Sequence, residues 1–286
     1  ENQYLKGDYT QAVKGFDAYL NTYSNGAFVL QARFYRGESK YFSGNQVGAL
    51  TDYEYIIKQY TNKFTETALQ RAATISFNQK NFAESAKYYE QIREVARTED
   101  VRNNAVLGAM RSYFKSNNFS KAIEYANQAY GINGLSEMIQ VEATYYKGIA
   151  QYNLGNLKEA GSNLKSVVKR INNEWAAESQ YILAVISYHS NQLKEAEALC
   201  FELISDYPSY PEWMVRTYIL LSDIYVNQED YFKAKVTLQS VVDTYNNQDE
   251  LYQEAVKKLE KVKELESKDS KIVPPNHTSG FSEFEK

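Results

Sequence analysis

An all-α solenoid of stacked helical hairpins is the architecture expected of this chain, on three observations. Small residues recur at Ala12, Ala49, Ser85, Ala122, Ala160, Ala196 and Ala234, at intervals of 37, 36, 37, 38, 36 and 38. A fixed period of roughly 20 to 50 residues marks units that bury their apolar faces against one another. A turn residue stands five places before each small residue, at Gly7, Gly44, Lys80, Asn117, Gly155, Asn191 and Glu229. The first 207 residues contain no proline, which suits helices, since proline inside a helix breaks it.

The second helix of each unit starts just after the turn. Nine places beyond the turn residue stand Phe16, Tyr53, Tyr89, Ala126, Leu164, Cys200 and Leu238; twelve beyond stand Tyr19, Ile56, Ile92, Ala129, Val167, Leu203 and Val241. With the small residue, these steps keep one helical face apolar. A first helix precedes each turn. Seven places before the turn are Gly37, Ala73, Met110, Gly148, Ala184 and Ser222, and twelve before are Ala32, Ala68, Ala105, Ala143, Ser179 and Thr217. All but Met110 are small, which lets helix axes approach toward the lower end of the roughly 8 to 10 Å range. Thr65, Thr98, Ser136 and Asn173 are candidate N-caps for these first helices. Each is followed by a glutamate, Glu66, Glu99, Glu137 and Glu174, favoured at the positive end of the helix dipole.

Three runs carry a family resemblance: Tyr35-Arg-Gly-Glu-Ser-Lys-Tyr-Phe-Ser-Gly44, Tyr146-Lys-Gly-Ile-Ala-Gln-Tyr-Asn-Leu-Gly155 and Gly7-Asp-Tyr-Thr-Gln-Ala-Val13. Over about residues 4 to 245, seven units in register resemble tetratricopeptide repeats. The resemblance implies a right-handed α-solenoid. The units exceed the family's period of about 34 residues. Several end in tyrosine, at Tyr23, Tyr60, Tyr207-Pro208 and Tyr245. Long units with this ending resemble a bacterial subgroup. It includes the outer-membrane assembly lipoprotein of the β-barrel insertion machine and the periplasmic coordinator of the Tol-Pal system. That likeness implies a bacterial cell envelope or periplasmic location, with the cytoplasm as the alternative.

The resemblance also implies a binding face. In the family, side chains of the first helix line a concave groove; by register they lie 13, 10, 6, 3 and 2 places before each turn residue. The candidate groove residues are Phe34, Tyr41, Phe77, Arg111, Phe114, Tyr145, Tyr152, Tyr181, Tyr188 and Arg216, with Phe42 and His189 in the row next to the turn. Tyrosine and arginine anchor protein interfaces. Aromatic rows at helical spacing equally suit packing between neighbouring first helices, and both readings stay open here.

The ends differ from the middle. Tyr4 stands three places before Gly7, where Tyr41 and Phe77 stand before their own turns. The chain is therefore expected to open inside the last turn of a first helix, as a piece of a longer protein. The expected domains are a solenoid over 1–248, a capping helix over 249–267 with Leu251, Ala255, Leu259, Val262 and Leu265 inward, and a flexible polar tail over 268–286. The fourth unit, with Ala126 at a large-residue position and two glycines in Gly131-Ile-Asn-Gly-Leu135, is expected to have a looser loop and altered superhelical twist.

Composition narrows the function. The 286 residues carry a net charge of −4 and no basic block, so no positive stripe faces nucleic-acid phosphates. No apolar run reaches the roughly 18 residues of a membrane-crossing helix. Cys200 cannot form an internal disulfide and sits at a core position, which suits a buried thiol rather than a nucleophile. Two histidines, His189 and His277, cannot build a multi-histidine metal site, and no glycine-rich phosphate loop is present. No enzyme chemistry, metal or cofactor is expected. The expected function is a protein-interaction scaffold holding a peptide or protein segment. The alternatives are an envelope assembly factor docking a large, membrane-associated complex through its convex face or ends, and the helical lobe of a larger enzyme.

Overall fold

Each expected turn folds the same way, and that repetition builds the molecule. The computed structural model describes residues 1–272, with side chains through Asp269. All seven turn residues adopt positive φ, between +58° and +85°, although Lys80, Asn117, Asn191 and Glu229 are not glycine. At each turn the N–H of that residue donates to a carbonyl three places back, and the next N–H to a carbonyl five places back. At Gly44 these are Tyr41 O at 3.1 Å and Lys40 O at 2.8 Å; at Glu229 they are Val226 O at 3.1 Å and Tyr225 O at 2.9 Å. This is the Schellman closure, which satisfies carbonyls left over at a helix end. The residue after the left-handed one stands at the N-cap of the next helix; Asn81 and Gln192 make no side-chain bond there, and four others do. Asp8, Asn45, Asn118 and Asp230 accept from the N–H of Gln11, Gly48, Lys121 and Lys233.

The result is a series of helical hairpins, each closed by a three-residue turn: α1 (Asn2–Leu5), α2 (Tyr9–Thr22), α3 (Val29–Phe42), α4 (Gln46–Ile57), α5 (Thr65–Asn78), α6 (Phe82–Val95), α7 (Glu99–Lys115), α8 (Phe119–Ala129), α9 (Glu137–Asn153), α10 (Leu157–Arg170), α11 (Glu174–His189), α12 (Leu193–Asp206), α13 (Pro211–Asn227), α14 (Tyr231–Thr244) and α15 (Glu250–Ile272). Odd-numbered helices are first helices and even-numbered ones second helices. No strand occurs among the described residues. The chain forms two compact units, residues 1–163 and residues from 164 onward, with the division inside α10.

Within unit 1 each helix from α1 to α9 packs on the next, and α7 also touches α9. Unit 2 repeats the pattern from α11 to α15, with α13 touching both α11 and α15. The recurring small residues explain the close approach. Ala12, Ala49, Ser85, Ala122, Ala160, Ala196 and Ala234 are all buried, as are the small rows of the first helices. Met110, the one large member of those rows, is fully buried as well. Where serine replaces alanine its hydroxyl is used: Ser85 Oγ donates to Ala73 O at 2.9 Å and lies 3.1 Å from Ser112 Oγ.

Three of the four expected caps form, with Thr98, Ser136 and Asn173 accepting from the N–H of Val101, Ile139 and Ala176. Thr65 differs. Phe64 occupies the cap position, and Thr65 Oγ1 accepts from the N–H of Asn62 at 2.9 Å, tying the loop rather than the helix. The α8–α9 loop, expected to be loose, is pinned by Tyr130 Oη donating to Thr144 Oγ1 at 3.0 Å and by Gln140 Nε2 donating to Leu135 O at 3.1 Å. Tyr125, next to Ala126, fills the local core and is 2% exposed.

The capping helix is longer than expected. Ala255, Leu259 and Val262 are buried and Leu251 and Leu265 half-buried, but α15 continues past 267 to Ile272. Lys268-Asp-Ser-Lys-Ile contains no breaker, and Pro274 first disfavours helix at the residue before it. The rest of the expected tail, with His277, lies outside the described residues.

Candidate partner-binding face

The third-from-turn row comes straight out of the turn geometry. Tyr41, Phe77, Phe114, Tyr152, Tyr188 and Val226 each offer the carbonyl that the turn residue's N–H meets. The Schellman closure therefore fixes these residues at the last turn of every first helix. All six are half-buried.

In unit 1 the row residues are laced to their neighbours. Phe34 stacks on Phe64 with ring centroids 4.5 Å apart. The Arg71 guanidinium lies 4.3 Å over the Tyr41 ring, while its Nε donates to the buried Glu38 carboxylate at 2.9 Å. Tyr53 Oη donates to the same carboxylate at 2.6 Å. Phe77 meets Phe82 edge-on at 5.1 Å. Phe114 packs on Tyr146 at 4.5 Å and on Tyr145 at 6.3 Å. Arg111 grips Glu142 through two bonds of 2.6 Å; these bonds lead the causes that raise the guanidinium's pKa and hold it charged. Tyr145 is only 6% exposed. Tyr152 is half-buried, and burial raises its hydroxyl pKa.

In unit 2 Tyr181 lies 5.7 Å from Trp213, ring to ring. Tyr188 Oη accepts from Asn227 Nδ2 at 2.7 Å. Arg216 pairs with Glu212 on its own helix at 2.9 Å and covers Trp213 at 5.5 Å. His189 is exposed beside Tyr188.

The ten candidates thus divide by depth. Tyr145 faces inward, and the other nine keep part of their surface in water. Phe42, in the row next to the turn, is the exposed aromatic of the set at 47%. Phe64 and Trp213 support the rows and lie off them in register; the signal for each was an aromatic at the start of a first helix. Elsewhere the exposed large apolar side chains include Tyr60, Phe28 and Tyr23 in loops between hairpins and Phe201, Phe232 and Val236 on second helices.

Cys200 is fully buried, and burial pushes its thiol up to about 12, with Glu197 adding to the rise. A thiol so held is a weak nucleophile. Among the described residues no group of three His, Cys, Asp or Glu side chains is placed to hold a metal ion, and no helix is long and apolar enough to cross a membrane.

No protein-family model and no curated protein matches the sequence. Solved structures do match in fold. The C-terminal part of a TPR repeat-containing protein from Cytophaga hutchinsonii superposes with a TM-score of 0.60 at 15% identity, over 90% of this chain and 96% of that one. YrrB, a TPR protein with an unusual peptide-binding site, gives 0.51 at 17% identity, over 72% of this chain and 97% of its own. Yeast Tom70 gives 0.51 at 12% identity, over 93% of this chain and 62% of its own. The fold is that of tetratricopeptide repeat solenoids.

Proposed function

We propose that the protein is a non-catalytic interaction scaffold that holds a peptide or protein segment against its first-helix face. One observation carries the reading. Five of the six third-from-turn residues are aromatic, and all six are half-exposed at positions set by one repeated turn. Such residues bind at low entropic cost because their rotamers are already restrained by packing. Tyrosine adds an apolar face with a polar tip. The contact set is Tyr41, Phe42, Phe77, Arg111, Phe114 and Tyr152 in unit 1, and Tyr181, Tyr188 and Arg216 in unit 2. YrrB, which shares the fold and has a peptide-binding site, supports a segment as the partner.

A second reading has its own observation. In unit 2 Phe201, Phe232 and Val236 are at least half exposed on second helices, which favours docking of a larger assembly through that face. Photo-crosslinking residues at Phe42 and His189, against Phe201 and Phe232, separate the two. Adducts with a partner segment at Phe42 or at His189 support the segment scaffold. Adducts confined to the second pair overturn it in favour of the second reading.

A further inference from the structure

The outer side of α14 breaks the pattern of the other second helices. Three and seven places beyond the turn residue, each of the first six repeats has a polar residue at one position at least: Lys14, Thr51, Lys87, Glu124, Lys158 and Lys194. In the seventh repeat both positions are large and apolar, Phe232 and Val236. The two are 65% and 50% exposed and share one helical face, a turn apart. Apolar side chains exposed singly are ordinary, but an adjoining pair beside a groove marks a contact surface.

The groove encloses about 620 Å³ and runs along α14 past Val236, Ser240 and Thr244, with Lys263 of α15 on its other wall. Lys263 meets the Gln239 amide oxygen at 3.4 Å and has no carboxylate against it among the described residues. Glu266 meets Lys235 while Lys263 meets Gln239, so α15 runs antiparallel to α14. The chain therefore leaves α15 at the Phe232 end of the groove, where Asp269 and Phe232 line one surface depression. Pro274-Pro275 disfavours a straight continuation of the helix. Beyond it stands Phe281-Ser-Glu-Phe-Glu285. The nine residues from Ile272 to Phe281 span up to about 30 Å, and the helix from Phe232 to Thr244 is only about 18 Å long.

We propose that residues 281–285 fold back along the groove between α14 and α15. Phe281 and Phe284, which one helical turn would place on the same side, cover Phe232 and Val236. Glu283 or Glu285 supplies the carboxylate for Lys263. The tail is then a built-in cover for the outer face of unit 2, in place of the free tail that composition alone leads one to expect. A partner that uses this face must first displace it. Tethering holds the segment at an effective concentration on the order of millimolar, an advantage that a second copy or a foreign segment lacks.

The test traps the contact in the full chain. Ser240→Cys and Ser282→Cys place one thiol in the groove and one between the two phenylalanines, while Cys200 is fully buried and stays out of the exchange. Under mild oxidation an intramolecular disulfide, read on non-reducing gels and by mass spectrometry, should form about tenfold faster than in the same chain carrying Phe281→Ser and Phe284→Ser. That control keeps the tether and removes the anchors. Phe232→Ser, an exposed position, should slow closure by a similar factor, and Lys263→Glu by about threefold. Equal closure rates with and without the phenylalanines, or disulfide-linked dimers in place of the closed monomer, would overturn the proposal. The first outcome is a tail without a seat, and the second an occupant from another copy.

Discussion

The two units bury their polar groups differently. Unit 1 encloses carboxylates. Asp52, fully buried, meets Arg33 at 3.3 Å, Arg36 Nε at 2.9 Å and Lys40 at 2.9 Å, and Arg36 reaches on to Asp17 at 2.6 Å. Glu38 and Glu142 are buried with Arg71 and Arg111 as partners. In unit 2 the buried polar residues among those described are Ser179, Gln180, Ser187, Thr217 and Ser222, none of them charged. Ser179 and Thr217 donate to carbonyls one turn back, at 2.6 and 2.7 Å. The long-range charge pairs of unit 2, Lys258–Asp223 and Lys235–Glu266, keep about a third of each side chain in water.

Register makes the contrast sharper. Six places before the turn stand Glu38, Arg111 and Asp223, and each pairs with a charge on the following first helix. At these three repeats the same position joins neighbouring first helices with either sign, while Thr74, Ile149 and Val185 hold it in the others. A buried pair adds little net stability over an apolar contact but is costly to break on one side only. Unit 1 is therefore the half that a single charge deletion should damage.

The largest expected effect follows from that. Asp52→Ala leaves three cations facing one another and should cost about 3–5 kcal/mol in denaturant melts. Gln180→Leu in unit 2 removes bonds to Leu199 O and Glu202 and should cost about 1 kcal/mol. Equal costs would break the contrast.

Next in size is a pair from one row. Tyr145→Ala should cost about 3 kcal/mol, as a buried large-to-small change does. Tyr181→Ala, half-exposed in unit 2, should cost clearly less on the same melt.

Alkaline titration should weaken both units, and unit 1 the more, because burial raises the Tyr53, Tyr88 and Tyr113 hydroxyls there as well. Burial, with Glu142 and Glu197 adding, pushes the Tyr146 and Tyr225 hydroxyls up to about 12 from the ordinary 10.0. Each contribution is intact below pH 10.0 and is lost as pH rises toward 12, because unfolded tyrosines ionise first. Circular dichroism and tyrosinate absorbance should therefore change together in that window, in both units.

The smallest effect is a gain. Lys80→Gly and Glu229→Gly relieve a side chain held at φ of 62° and 61°, and each should stabilise by up to about 1 kcal/mol.

These comparisons show what the sequence made legible. The period located the left-handed residue of all seven turns, including Lys80 and Glu229, because counting from the small residues needs no glycine; Gly134, also left-handed, lies in a link that the period does not mark. It assigned Tyr145 and Tyr181 to one row but not to different depths, since depth depends on Phe114 and Tyr146 in one case and Trp213 in the other. Arg33, Arg36 and Lys40 lie off the recurring small and apolar rows of the repeat. The Asp52 carboxylate on the next helix draws all three inward, and a one-dimensional pattern of apolar and polar residues carries no record of it.

The turns have a mechanical consequence. Each closes one helix and caps the next with three residues, whereas the links between hairpins run from three to seven. An inserted residue at a turn would break both the closure and the cap, so compliance is confined to the links. Proteases and tolerated insertions should enter there, first at 58–64, where Tyr60 stands 98% exposed. Under load, the hairpins would behave as rigid plates and the links as their springs.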